Sequence, residues 1–391
     1  MMQTIRLRGV DPLLFRDGRP FTNELGAQRA DSLPVPLPGV VAGAVRSAIG
    51  RQSGWDWKAA GPANAQAVAV HGPLVCIGDG KPVVAAPADA IIYKNDNEKN
   101  NPLQCACLRP MRRLPEGAGC NIPEGAAPIE VTIDEKPESG FRFWLWGDVM
   151  RWLADPQGKG FDPLPGDFCN IGCPAMEERT HVMIGKNGIA EEHMLFTTSS
   201  VVPLERRRQD SKAIERDWSY LAGVSDDTDI SGPLFLGGER RVAVAAQAAP
   251  TDWPACPPDL EAALRHSARI RMLLVTPAIF SGGWRPGWEG GSPPGTSDLK
   301  LTLKAACLQR REAVSGWDYA AIIPGSERRG APKAVRWLAP AGSVFFFEAE
   351  GNTSQLATSA WLAPMSDDEQ DRRDGYGLAV WGIWDYRGGN G

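Results

Sequence analysis

The order of segments in this 391-residue chain occurs twice, and that repeat constrains the fold more than any single motif does. In the first half Thr4-Ile5-Arg6-Leu7-Arg8-Gly9-Val10 alternates apolar and polar residues, which predicts a strand. The strand runs into Asp11-Pro12-Leu13-Leu14-Phe15-Arg16-Asp17-Gly18-Arg19-Pro20-Phe21, a loop with two arginines between apolar anchors. After a Pro-rich stretch, Val41, Val45 and Ile49 stand four apart and predict an amphipathic helix over residues 39–50, with Gly50 as its C-cap. Its N-terminus would offer free N–H groups to a phosphate at the preceding loop, and Gly43 inside it implies that something packs closely on the backbone. Apolar alternation from Arg179 to Ile184 and from Met194 to Thr198, around Gly185-Lys186-Asn187-Gly188, predicts a protruding hairpin. Gly237-Gly238-Glu239-Arg240-Arg241 is then a glycine turn feeding a strand.

The second half follows the same plan. Residues 269–280 read as a strand ending in the loop Ser281-Gly282-Gly283-Trp284-Arg285-Pro286. A hairpin is expected from Glu312 out to Lys333 and back along residues 342–348, and Gly375-Tyr376-Gly377-Leu378 supplies the second glycine turn. Strand, helix, hairpin, helix, glycine turn, strand is the order of a β-α-β-β-α-β unit. The expected fold is therefore α+β, two tandem ferredoxin-like (RRM-like) domains at residues 1–255 and 256–391, with long loop insertions and protruding hairpins. Residues 82–137 read as a loop-rich insertion, polar at Asn95 to Asn101, and a short helix is expected over residues 147–154. Sheets of this kind are a common RNA-binding platform.

Charge sets limits on function. With Lys+Arg 42 against Asp+Glu 47, the net charge of −5 excludes a free-standing protein that coats nucleic acid by charge alone. Any such site must be local, and local clusters exist: Arg16 with Arg19; Arg109, Arg112 and Arg113; Arg206, Arg207 and Arg208; Arg240 with Arg241. For any single cluster a solvated arginine face is the more ordinary reading. No signal peptide or membrane span is expected, which places the protein in the cytoplasm. The eight cysteines are scattered, as reduced thiols are, and neither Cys105-Ala106-Cys107 nor Cys169 with Cys173 has the spacing of a structural zinc knuckle. No nucleotide-binding loop, zinc-protease motif or nucleophile elbow is present.

The ordered series D-P-L-L-F-R-D-G-R-P-F, A-G-A-V-R, R-T-H-V, L-F-T-T, G-G-E-R-R, T-P-A-I-F, S-G-W, P-K-A, A-G-S-V and G-Y-G-L-A resembles the third subunit of the type III-B CRISPR (Cmr) effector complex, a member of the RAMP superfamily. The resemblance runs from Asp11 to Trp384. It implies a non-catalytic protein without cofactor or metal that recognises the 5′ repeat-derived tag of the crRNA. It further implies docking on the large polymerase-like signalling subunit and on the RAMP backbone, indirect contact with target RNA, and a hairpin that kinks the guide.

The candidate RNA-binding residues follow. Arg16, Arg19, Arg46, Arg179, Arg240 and Arg241 offer planar forks for phosphate, and Lys186 and Lys333 offer point charges at expected hairpin tips. Gly237, Gly238, Gly375 and Gly377 would let backbone N–H groups approach a phosphate or ribose. Trp284, Trp317 and Tyr376, beside glycines, could stack on bases or pack in the core. His181 is readable as an RNA contact, as a structural histidine, or as the general base of a RAMP endoribonuclease that processes precursor crRNA.

Overall fold

The alternation in the first strand is realised: in β1 (Gln3–Gly9) Ile5 and Leu7 are buried while Arg8 faces solvent. The computed structural model describes all residues except 1, 20–28, 95–102, 113, 115, 120, 124, 132, 158–170, 210–211, 323–328 and 387–391. Expectations for Asn95 to Asn101, Arg113 and Cys169 fall outside the described residues. Elements are numbered along the chain. They form a mixed α+β protein, rich in antiparallel sheet, with two compact units that interleave in sequence.

The first unit joins Met1–Gly80, Pro174–Asp252 and Glu312–Leu338. Its main sheet runs β14 (Gly232–Phe235), β15 (Val242–Gln247), β1, β13 (Lys212–Val224), β3 (Val70–Ile77), all neighbours antiparallel. Leu7 lies opposite Tyr220 on one side and Ala245 on the other, so the apolar face of β1 sits mid-sheet. Across the sheet β15, β1, β13 and β3 stand side by side, which are the fourth, first, third and second of these strands in chain order. β12 (Leu204–Gln209) extends β13 as a hairpin. Helix α1 (Pro38–Gln52) makes the crossover from β1 to β3, burying Val41, Val45 and Ile49, and is followed by α2 (Gly61–Ala67).

Two details of α1 differ from expectation. The helix passes through Gly50 and ends at Ser53; Gly50 lacks a Cβ because one would come within 2.4 Å of the Trp57 ring and 2.7 Å of Trp55. Gly43 has nothing packed on it within 4 Å.

A second sheet of this unit is the predicted hairpin, β10 (Met176–Ile184) with β11 (Ala190–Val201), and the short β2 (Arg29–Ala30) lies parallel to β11. Gly185 to Gly188 form its turn, with Gly185 N–H donating to Ile189 O at 2.9 Å. The arm from the last segment consists of two small ladders, β18 (Glu312–Val314) with β21 (Arg336–Leu338) and β19 (Trp317–Ile322) with β20 (Arg329–Pro332). Lys333 is therefore not at a hairpin tip: its N–H donates to Gly316 O at 2.8 Å, on the stem between the two ladders.

The second unit joins Lys81–Cys173, Trp253–Arg311 and Ala339–Gly391. Where the sequence reading divides the chain once, near residue 255, the segment 81–173 groups with the C-terminal residues. Its sheet runs β17 (Leu299–Cys307), β22 (Val344–Gly351), β16 (Arg269–Leu274), β24 (Leu378–Ile383), β23 (Ala363–Pro364). Thus β22 pairs with β17 and β16 instead of returning the arm. Helices α3 (Trp146–Ala154) and α4 (Pro258–His266) pack against β24, and α5 (Glu369–Arg373) precedes it. Gly382 permits this approach, since a Cβ there would lie 2.5 Å from Leu153 O. The segment 81–173 adds three ladders: β4 (Lys81–Ala85) with β9 (Phe143–Leu145), β5 (Ala90–Lys94) with β6 (Leu103–Cys107), and β7 (Arg109–Pro110) with β8 (Ile129–Glu130).

Across this sheet β24, β16, β22 and β17 stand side by side, again the fourth, first, third and second of the four in chain order. The helices expected between strands are reduced. No helix joins β16 to β17; a 3₁₀ turn (Thr353–Ala357) and the short α5 join β22 to β24; in the first unit β13 leads to β15 through β14 and a tight turn at Gly238–Arg241.

One buried ion pair fastens the 81–173 segment to its sheet. Arg271 of β16 and Asp89, with side chains 1% and 0% exposed, meet at 2.8 Å; the Trp152 indole N–H donates to the other Asp89 oxygen at 2.9 Å. Arg271 also donates to Asp155 O at 2.9 Å and to Trp152 O, and its guanidinium lies 5.5 Å from the Trp152 ring centre.

Candidate nucleic-acid interface

The loop after β1 is anchored on three sides within the first unit. Leu13 exchanges backbone hydrogen bonds with Val201 at the base of the β10–β11 hairpin, 2.8 and 2.7 Å. Gly238 N–H donates to Leu14 O at 2.7 Å, and Phe15 N–H donates to the Ser32 hydroxyl at 2.8 Å. Leu13, Leu14 and Phe15 are buried, and Phe15 meets Tyr220 edge-on with ring centres 6.0 Å apart. Burial pushes the Tyr220 phenol well above its ordinary range. The three apolar residues of the motif thus fix a loop whose following residues, Arg16 to Arg19, reach solvent. Gly18 sits against the arm, where a Cβ would be 3.5 Å from Ala313 O.

The arginines here are held by carboxylates. Arg19, 75% exposed, reaches Asp17 at 3.1 Å and Asp31 at 3.3 Å. The other Asp31 oxygen takes Arg29 Nε at 2.6 Å, and Arg29 also pairs with Glu178 of β10. A chain of alternating charge, Arg19–Asp31–Arg29–Glu178, therefore links the loop to the hairpin. Arg16 donates to Arg19 O at 3.4 Å. Arg179 meets Glu177 at 2.7 Å, and that guanidinium holds the Glu177 carboxyl below its usual range. Exposed pairs of this kind are weak, so a phosphate can compete for each fork. The pairing also orients the forks in advance.

His181 lies half-buried on the same hairpin. Its Nε2 is 3.0 Å from the Thr198 hydroxyl and its ring stacks on Phe196, centres 4.8 Å apart at 13°. Among the described residues no acid or second base is bonded to it. Lys186 is exposed in the hairpin turn, and Arg240 is exposed at the glycine corner. Arg241 is half-buried within Coulomb range of Glu177, with its Nε buried and unbonded.

Several expected ligands have structural positions instead. Arg46 is buried in α1 and donates through Nε and Nη2 to Val68 O at 3.0 and 2.7 Å, clamping the helix to the chain ahead of β3. The glycine corners do not hold N–H groups out for phosphate at Gly238 or Gly377. Gly237, at φ +84°, brings the chain onto Leu14, where a Cβ would stand 2.5 Å from the carbonyl oxygen. Gly377 N–H donates to Pro277 O at 2.8 Å, and Gly375 N–H to Arg372 O at 3.0 Å. Tyr376 between them is 4% exposed, a core residue and not a stacking platform. Trp284 is 39% exposed beside a pocket of about 110 Å³ formed with Arg285, Leu303 and Lys304, in the second unit. The side chains of Trp317 and of Arg206, Arg207 and Arg208 lie outside the described set. Of the sixteen candidates, the first unit brings Arg16, Arg19, Arg179, His181, Arg240 and Arg241 to one loop-and-hairpin region. Sequence reading missed Asp31, Arg29 and Glu178, which have no local signature; only tertiary pairing reveals them.

No group of His, Cys, Asp or Glu among the described residues is arranged to hold a metal ion. Burial raises the Cys105 thiol strongly and the Cys107 thiol to about 12, as inert packed cysteines require. No described helix is long and apolar enough to cross a membrane.

Comparison with known proteins bears on this geometry. Two cryo-EM chains resemble the structure. One comes from a type III-B Cmr-β complex bound to cognate target RNA and AMPPnP; it shows 13% identity over 88% of this chain and 86% of that one, with a TM-score of 0.44. The other comes from the Cmr-β complex bound to cognate target RNA, at 14% identity, the same coverage and a TM-score of 0.42. Likeness this distant carries no weight for ligands. No curated protein matches the sequence. The profile of one family, CRISPR-associated protein (Cas_Cmr3), matches residues 5–384, nearly the whole chain. The chain belongs to that family, the third subunit of type III-B CRISPR effector complexes.

Proposed function

We propose that this protein is the cytoplasmic, non-catalytic crRNA-binding subunit of a type III-B effector complex, holding the 5′ repeat-derived tag and docking the large signalling subunit onto the RAMP backbone. The observation that carries the reading is the convergence, in one unit, of the Arg16–Arg19 loop, the Gly237–Arg241 corner and the β10–β11 hairpin. Pre-oriented forks on an apolar-anchored loop suit phosphate, and phosphate contacts fix register along a strand. The two four-strand orders are read as two ferredoxin-like halves with shortened helices. In that reading the exposed hairpin kinks the guide. The His181 environment supports a contact role, because the ring is stacked on Phe196 and bonded to the Thr198 hydroxyl and, among the described residues, has no bonded acid–base partner of the kind RNA cleavage needs.

The test is charge reversal. Complexes co-expressed with R16E/R19E should lose crRNA, or retain RNA whose 5′ tag is trimmed, while a lysine pair preserves it. Intact tagged crRNA at wild-type occupancy in the reversed variant would refute the reading. Metal-independent cleavage of repeat RNA by the pure protein, abolished in H181A, would replace it with the endoribonuclease alternative.

A further inference from the structure

The Gly238–Arg241 corner carries a conformation that its sequence makes unfavourable. Arg241 N–H donates to Gly238 O at 3.3 Å, and the two residues between, Glu239 and Arg240, have φ of +55° and +53°. Positive φ at both central positions marks a type I′ turn, whose favoured residues are Asn and Gly because a Cβ clashes with the following carbonyl. Only four non-glycine residues among those described have positive φ, and two of them are adjacent here. Both side chains are exposed, and among the described residues neither makes a hydrogen bond or ion pair. They contribute nothing to the fold that glycine would not supply better. Their backbone is nevertheless fixed in place, because Gly237 and Gly238 pack directly on Leu14, next to Arg16.

We infer that Glu239 and Arg240 form a base-reading tip for the single-stranded RNA held at this face, an inference that rests on the proposed function. A carboxylate repels phosphate, so Glu239 is not a backbone ligand. It accepts from the paired donors on a base edge, such as the ring N–H and exocyclic amine of guanine or the exocyclic amine of cytosine. Arg240, one residue on, binds the adjoining phosphate and sets the distance. Glu239 is thus a specificity-determining residue, and Arg240 its positioning partner.

The experiment uses the co-expressed complex, loaded from a crRNA pool randomised through the 5′ tag, with the retained RNA sequenced. E239N/R240G relaxes the turn and should raise the unfolding midpoint of the isolated subunit by about 2–5 °C. The same variant should erase a base preference of about five-fold or more at one tag position. E239Q, which keeps the strain but adds an amide donor, should shift that preference towards a base presenting a carbonyl. An unchanged preference in both variants overturns the inference, as does an unchanged or lowered midpoint in E239N/R240G. Loss of the large subunit with RNA selection intact assigns the tip to a protein partner and equally overturns it. If R16E/R19E also leaves RNA retention untouched, the RNA-binding reading itself has failed; if only the tip variants are silent, it stands.

Discussion

Replacing Asp89 by alanine isolates a fully buried ion pair of the second unit. The carboxylate receives Arg271 at 2.8 Å and the Trp152 indole at 2.9 Å with essentially no solvent access. Its removal leaves a guanidinium buried without a counter-charge, and a guanidinium cannot shed its proton. Breaking such a pair from one side costs about 3–5 kcal/mol. At about 2–4 °C per kcal/mol, the midpoint falls by roughly 6–20 °C. The reverse change behaves differently. Burial already pushes the Asp89 carboxyl above its usual range, with Arg271 and the Trp152 N–H pulling it back, so in R271M the acid can take up a proton and become neutral. With its folded pKa above the unfolded one, the R271M protein loses stability as pH rises through that window and recovers it towards acid. Denaturant titrations of D89A, R271M and D89L/R271M at pH 5 and 8, followed by tryptophan fluorescence, measure all of this. The double variant should lose less than the sum of the singles. Additive losses, or a D89A effect below about 1 kcal/mol, would refute a mutually dependent buried pair.

Two further outcomes are expected. D31N releases Arg19 and Arg29 from their shared carboxylate, so the isolated subunit should bind unstructured RNA more tightly, with little change in stability. Asp17 and Glu178 still hold the other sides of these forks, so the plot of log affinity against log salt should steepen by less than the roughly 1.4 that two wholly freed cations would add; an unaltered slope in filter binding would show that Asp31 does not restrain them. Burial lowers the His71 pKa to about 4 from an unfolded value near 6.5, so the unfolded chain binds the extra proton between those values. Stability should be complete above pH 6.5 and fall by about 2 kcal/mol on the way to pH 4, after allowing for partial exposure of the ring. H71N should flatten this decline in pH-dependent thermal melts.

Local pattern made part of this fold legible. Alternation located β1, the spacing of Val41, Val45 and Ile49 located α1, and the glycines around Lys186 located the hairpin turn. Each of these is decided by neighbours within a few residues. The allegiance of residues 81–173 was not legible, because it depends on contacts such as Asp89 with Arg271, 182 positions apart. Arg46 shows the same limit at a single side chain. An arginine on a helix beside a loop reads as a phosphate fork, and only the fold shows that its fork reaches the Val68 carbonyl. The glycine corners were found correctly as places, while their chemistry turned inwards.

The two four-strand sheets share that inward turn and differ in the side chains that follow it. In each unit the loop after the first strand is pinned by a glycine N–H just ahead of the fourth: Gly238 to Leu14 O at 2.7 Å, and Gly377 to Pro277 O at 2.8 Å. The pin uses backbone alone, so it places no demand on the side chains that follow. In the first unit those include Arg16 and Arg19, both exposed, with Arg19 paired to Asp17 and Asp31. In the second they include a half-exposed Trp284 and an Arg285 neutralised by Glu289 at 2.9 Å. Because the whole chain is net acidic at −5, a polyanion is drawn only where cations are concentrated and their partners are weak. The pinned loop of the first unit presents two exposed arginines, whereas that of the second presents one, paired with Glu289.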